Sequence, residues 1–450
     1  MTDMAGLLTG IIPPLMRRWA VPGVGVGVLT PEGSHRLGFG VTNVDHPLPV
    51  DEHTLFQIGS VSKTFVGTML AALADAGRLG LDDRVADHLP DSGMDGRITI
   101  RHLLTHSSGL FGDHLILNGP RLLADGADDS IATGVAHIAG LPLVFGPGTN
   151  YSYSNAGLIV AARLLEVVTG RRYADLVRTE VLEPAGMRHT YTTADEAITH
   201  RVAAPHRGDA TTEPEVARTA GWQRGWQLPG WDVPGGGLVS CVSDMLDYAR
   251  YHLAGKTPAE PFIPQRERSG ANERIGLIWR LDDVDGVRLA YHGGLTIGYC
   301  TQLCLVPERG IGFVLLTNGT SGEQVNQEVR AALLRELVGI SVEAPPAEPG
   351  AAPADAAGLA GSFDASFYRL ELDPRPDGRA AVRIHRPAPR PGSYYLEPPS
   401  IEQVAWCGHD RLVITEPASE RGTTIDVCRD DSGAISGLRL RDRLAPRIDG

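Results

Sequence analysis

The segment LFQIGSVSKTF holds Ser60 and Lys63 three residues apart, at the start of a stretch with helical periodicity. Residues i and i+3 share one face of a helix, so the Ser60 hydroxyl and the Lys63 amine can meet. A serine with a proton acceptor beside it is an acyl-transfer nucleophile. The helix start adds the positive end of a dipole, which favours an alkoxide or oxyanion at Ser60. The spacing alone is common, and a serine cap followed by a solvated lysine would read the same way. The lysine census separates the two readings: Lys63 and Lys256 are the only lysines among 41 basic residues. Arginine stays protonated, whereas a buried lysine can act as a base. A lysine kept in a chain that otherwise uses arginine is a candidate for work arginine cannot do.

Two further motifs follow. Tyr153-Ser154-Asn155 precedes a helical stretch. A tyrosine hydroxyl near a cationic amine can relay a proton, and an asparagine amide can orient both the amine and a carbonyl. A polar helix cap, with Tyr153 packed beneath it, is the plainer reading. His292-Gly293-Gly294 ends a strand-like segment, LAYHGGLTIGY. Glycines there allow close approach to a strand edge whose N–H groups can polarise a carbonyl; a turn with a surface histidine is the alternative.

Other residues are weighed against packing roles. His102 and His106 stand four apart on an expected helix, a spacing that can hold zinc, but the H-E-x-x-H pattern is absent and helix packing or a surface position is the reading adopted. Trp222, Trp226 and Trp231 lie in GWQRGWQLPGWDVPGGG, where they either wall an apolar substrate pocket or pack their own loop. Arg439, Arg441, Arg443 and Arg447 are read as the solvated face of a strand rather than as a carboxylate site. Cys241, Cys300, Cys304, Cys407 and Cys428 are odd in number and fit no metal-ligand spacing. Neither metal nor cofactor is expected.

The elements that must position these residues are legible in outline. VPGVGVGVLT and HRLGFGVTNV flank Pro31-Glu32-Gly33-Ser34 and predict a hairpin. From Ser60 to Gly77 the pattern turns helical, with Phe65, Met69, Leu70, Leu73 and Ala74 on one side. Helices are also expected over Ile98–Leu104, Ala156–Val168, Tyr173–Leu182, Ser243–Leu253 and Glu323–Val338, and strands within Arg288–Asn318. Residues 341–358 are rich in Pro and Ala and read as a linker between a catalytic domain over 1–340 and a small antiparallel β domain over 359–450. Strands at both ends of the first part, with helices between, point to an α/β arrangement of one mixed sheet covered by helices.

Composition excludes other classes. A net charge of −13 over 450 residues argues against nucleic-acid binding. No apolar run reaches the roughly 18 residues a membrane span needs. Asp3 precedes the apolar N-terminal stretch and Arg17 and Arg18 follow it, the reverse of an export signal, so a cytoplasmic location is expected. The absence of G-x-S-x-G disfavours an α/β-hydrolase.

Together, S-x-x-K, Y-x-N and H-x-G in this order resemble the penicillin-recognising serine enzymes, which include class C β-lactamases, D,D-peptidases, D-aminopeptidases and related esterases. LGLDDRVADHLP, IRHLLTHSSGL, LEPAGM and GGGLVSCVSDML are similar too, and the resemblance spans Val21–Gly339. It implies a β-lactamase/transpeptidase-like fold with a lipocalin-like C-terminal β domain. It implies Ser60 as nucleophile, Lys63 and Tyr153 as proton carriers, and Asn155 and His292 as orienting groups. The backbone N–H groups of Ser60 and Leu295 would hold the oxyanion beside Gly293 and Gly294. His292 stands where β-lactamases carry lysine, so efficient β-lactam turnover is not expected. The implied substrate is peptidic, free or carrier-protein-bound. A stand-alone thioesterase that cyclises a nonribosomal peptide is the preferred role, with a D-stereospecific peptidase, amidase or esterase next and a non-catalytic acyl sensor last.

Overall fold

A computed structural model describes residues 3–112, 130–218, 226, 228–268, 273–342, 355–365, 368–375, 379–385, 400–416, 422–430 and 432–448. The expected linker falls mostly on 343–354, outside the described residues. The chain forms two compact units that do not follow its linear order: the C-terminal β region groups with residues 106–112 and Gly140–Ala156, and the remainder forms the other unit.

The larger unit is built on an eight-stranded sheet. Its outer hairpin pairs Gly23–Thr30 with Gly33–Gly40 through a tight turn at Pro31-Glu32. Gly23–Thr30 then pairs with Ile311–Thr317, which joins Tyr299–Val306, then Val287–Thr296, then three shorter strands. The registered pairings are antiparallel throughout, so the two ends of the catalytic segment meet in the middle of one sheet. Tyr299–Val306 and Ile311–Thr317 are buried along their whole length, which is why they read as continuous apolar runs rather than as an alternation.

Helices cover both faces. Met4–Arg18 and Gly322–Val338 pack on one face around Leu8, Ile12, Val26, Phe313, Val329 and Leu333. The N-terminal helix accounts for the charge order that argued against an export signal: Asp3 caps it by accepting from Gly6 N–H at 2.9 Å, and Arg17 and Arg18 occupy its last turn. On the other face Val242–Leu253 lies flat on the sheet because Gly27 has no side chain. A Cβ there would come within 2.8 Å of both Leu246 and Val242.

Ser62–Asp75 departs from the one-sided helix that its periodicity predicts. Every residue from Ser62 to Ala71 is buried, so this part of the helix is enclosed on all sides and only its last turn reaches solvent. Phe65 stacks on Tyr248 at 4.2 Å, and the Tyr248 hydroxyl donates to Thr64 Oγ1 at 3.1 Å. Among the described residues no helix is long and apolar enough to cross a membrane.

The second unit contains an eight-stranded up-and-down antiparallel sheet over Gly361–Pro446. A Phe363–Arg447 bridge, with Ile448 N–H donating to Ser362 O at 3.0 Å, brings its first and last strands together into a nearly closed barrel. Alternate residues such as Leu370, Leu372, Val382, Ile384, Trp406 and Leu438 fill the interior.

Candidate active site

Ser60 lies in a single 3-10 turn, Gly59–Val61, immediately before the enclosed helix. That turn is clamped from two sides: Ile58 N–H donates to Leu238 O at 3.0 Å, and Ile58 O accepts from Thr301 Oγ1 at 2.7 Å. Gly59 adopts φ +53°, and a Cβ on it would stand 2.6 Å from Leu295 N. Glycine is therefore required twice over, by conformation and by the close approach of the strand edge at Gly294-Leu295. A side chain on Gly294 would likewise stand 2.0 Å from Ile58 O. The Leu295 peptide is thus brought beside the residue preceding Ser60, where an oxyanion donor has to be.

Lys63 is fully buried, and its Nζ donates to Ser60 Oγ at 2.9 Å and to the Gly235 carbonyl. The i, i+3 geometry places the amine within proton-transfer reach of the hydroxyl. The Gly235 carbonyl aims it. That carbonyl was not singled out in the sequence, although it lies in the GGG run at the end of the tryptophan loop. His292 is buried, with Nδ1 2.7 Å from Gly293 O, and it shares its strand with Gly294 and Leu295.

Tyr153 and Asn155 belong to the second unit. The long helix Asn155–Thr169 begins at Asn155 itself, and Tyr153 is buried before it. Three contacts fix this segment within its unit. Tyr153 N–H donates to Asp442 O at 2.7 Å, Leu444 N–H donates to Ser152 Oγ at 3.1 Å, and the Arg443 guanidinium stands 5.2 Å over the Tyr153 ring. The Asp442 carbonyl sits on a two-residue hairpin turn in which both Arg441 and Asp442 have positive φ, at 48° and 66°. Such turns favour Asn or Gly, so the local strain is offset by what the turn holds.

Two sequence readings change here. Of the terminal arginines Arg441 is exposed, but Arg439, Arg443 and Arg447 do not form a solvated face with it. Arg439 is buried and donates to Asn150 Oδ1 at 2.7 Å and Tyr151 O at 3.1 Å, Arg443 covers Tyr153, and Arg447 donates to Gly358 O and Ala360 O at the barrel seam. Strand alternation could not show this, because the partners are distant in sequence. His102 and His106 do not share a helix, since it ends at Leu104. His102 Nδ1 accepts from Thr99 N–H at 3.2 Å, whereas His106, at φ +53°, packs its ring 4.4 Å from that of Tyr153 and accepts from Ser154 N–H at 3.2 Å. His106 is thus a support for the tyrosine motif that sequence reading missed. Of the tryptophans, Trp222 lies outside the described residues. Trp231 is buried, and Trp226 donates from Nε1 to Tyr299 Oη at 2.7 Å.

A buried amine on a helix-start serine, beside a glycine-lined strand edge, defines a serine hydrolase of the acyl-enzyme type. The comparisons agree. The Beta-lactamase family profile matches residues 8–337. "Penicillin-binding protein 4" of Amycolatopsis lactamdurans is 33% identical over 368 residues, covering 76% of this chain and 93% of that protein. "Unguisins hydrolase ungD'" of Aspergillus campestris is 26% identical over 69% of this chain and 61% of its own length. Among solved structures, SurE superposes with a TM-score of 0.73 at 22% identity over 98% of both chains. A class C β-lactamase gives 0.62 at 21% identity over 75% of this chain and 98% of its own. This chain belongs to the β-lactamase family of serine hydrolases, which includes the penicillin-binding-protein homologues.

Proposed function

We propose that this enzyme is a stand-alone peptidyl thioesterase that loads a peptide on Ser60 and releases it by head-to-tail closure, with a D-residue at the acyl end. The observation that carries this reading is the reach of the SurE likeness. It extends over 98% of both chains, the barrel included, whereas the class C β-lactamase likeness stops at 75% of this chain. SurE has also been solved with D-Leu.

In this reading Ser60 Oγ attacks the thioester carbonyl and gives its proton to Lys63, with Tyr153 as the further proton carrier. The oxyanion is met by the Ser60 and Leu295 N–H groups, and the departing thiolate takes up the proton as the ester forms. Asn155 and His292 orient the substrate. The peptide's own amine then attacks the ester, loses a proton, and Ser60 regains one. Closure competes with hydrolysis only if water is kept from the ester. Trp226 and Trp231 are the proposed source of that shielding.

A second reading, a D-stereospecific peptidase, amidase or esterase, is favoured by the likeness to the unguisins hydrolase. The test is a synthetic peptidyl thioester of about six to eight residues ending in a D-residue, with products separated by mass. The expected product is cyclic, and intact-protein mass spectrometry should show one acyl adduct that Ser60→Ala abolishes. Linear acid alone across several such thioesters would select the second reading. An adduct that persists in Ser60→Ala would reject both.

A further inference from the structure

Away from the residues used above, three groups from distant parts of the larger unit converge. One ligand atom each from His53, His189 and Cys241 lies within 4.8 Å of the others. We propose that His53, His189 and Cys241 form a binding site for a divalent transition-metal ion of the zinc class.

The donor set has the right chemistry. Two imidazoles and a thiolate suit zinc, whose bonds of about 2.0–2.3 Å put tetrahedral ligand atoms roughly 3.3–3.6 Å apart. Closing the cluster from its present spread takes movements of about 1 Å, which exposed His53 can supply by turning. The support around the ligands has the form expected of a metal site. Asp244 Oδ1 stands 3.7 Å from His189 Nδ1, and its other oxygen accepts from His189 N–H at 2.6 Å and from Thr190 Oγ1 at 2.8 Å. A carboxylate held in this way orients a histidine ligand. Cys241 immediately precedes the helix Val242–Leu253.

The site also has a consequence for the catalytic segment. Phe56 and Gln57 pair with Ser240 and Val239, and Tyr191 pairs with Val239, so the three ligands flank one small ladder. One strand of that ladder leads to Ser60 and the other comes from Gly235, whose carbonyl holds Lys63. Metal would staple the two strands at the end of the ladder away from the catalytic turn. Its role is structural, with the fourth position left to water because His53 is exposed.

The test uses the full chain, stripped with EDTA and titrated with Co²⁺. One equivalent should bind with a thiolate-to-cobalt charge-transfer band in the near ultraviolet, and Zn²⁺ should displace it and raise the unfolding temperature. Cys241→Ser should abolish the band. Should that variant fail to fold, His53→Ala, changed at an exposed position, should bind Co²⁺ at least tenfold more weakly with an unchanged circular dichroism spectrum, and Zn²⁺ should no longer raise its unfolding temperature. No thiolate band at stoichiometric cobalt, a band that survives Cys241→Ser, or unaltered affinity in His53→Ala would each overturn the assignment.

Discussion

Lys63→Arg is the sharpest test of how the nucleophile is activated. The substitution keeps a positive charge beside Ser60 but removes the only part of the side chain that can accept a proton. Lys63 has no solvent exposure, its Nζ is 2.9 Å from Ser60 Oγ, and the Gly235 carbonyl holds it from the other side. A positioned acid–base group contributes about 10²–10⁴ in rate, or about 3–5 kcal/mol of barrier. Crowding a guanidinium into the same space costs about 1–3 kcal/mol more, but as stability rather than as rate. The two effects therefore separate experimentally. Single-turnover acylation by an activated ester should fall by about 10²–10⁴, nearly as far as in Lys63→Ala, while urea unfolding reports the packing cost on its own. Lys256→Arg, at an exposed position, is the control and should be silent. Acylation by Lys63→Arg within about tenfold of wild type, in protein shown to be folded, would mean that Lys63 acts only as a charge, and the proton-acceptor argument would fail.

Gly59→Ala should cut acylation severely, because its Cβ would meet the backbone at Leu295 N with no flexible side chain to give way; wild-type rates would show that the strand edge does not serve as the oxyanion wall. Arg443→Met keeps bulk over the Tyr153 ring but removes the cation, and acylation should slow roughly 2–30-fold, with partial rescue by Arg443→Lys. An unchanged rate would leave Arg443 a packing residue only. Buried His252 is pushed down to about 3 by desolvation. As pH falls below the unfolded value of about 6.5, the unfolded chain takes up a proton that the folded one refuses, so stability is lost at about 1.4 kcal/mol per pH unit. Urea unfolding at pH 7 and pH 5 should therefore show about 2 kcal/mol more acid sensitivity in wild type than in His252→Asn, which retains a partner for Thr257 Oγ1. Equal slopes would remove His252 from the account.

Much of this protein was determined by local sequence. The Ser60–Lys63 contact follows from helical spacing, and the survival of lysine at position 63 marked it as chemical. The hairpin at Pro31-Glu32, the helices from Asn155 and Val242, and the alternating strands of the barrel follow from periods of 3.6 and 2 with turn residues between them. What no local pattern could give is which distant groups close around these elements. The Gly235 carbonyl on Lys63, the Thr301 hydroxyl on Ile58 and the Asp442 carbonyl of the Arg441-Asp442 turn on Tyr153 join residues 172, 243 and 289 positions apart. The burial that encloses Ser62–Ala71, and the meeting of His53, His189 and Cys241, likewise belong to the folded chain alone. Periodicity reports which face of an element is apolar; only packing decides what that face meets.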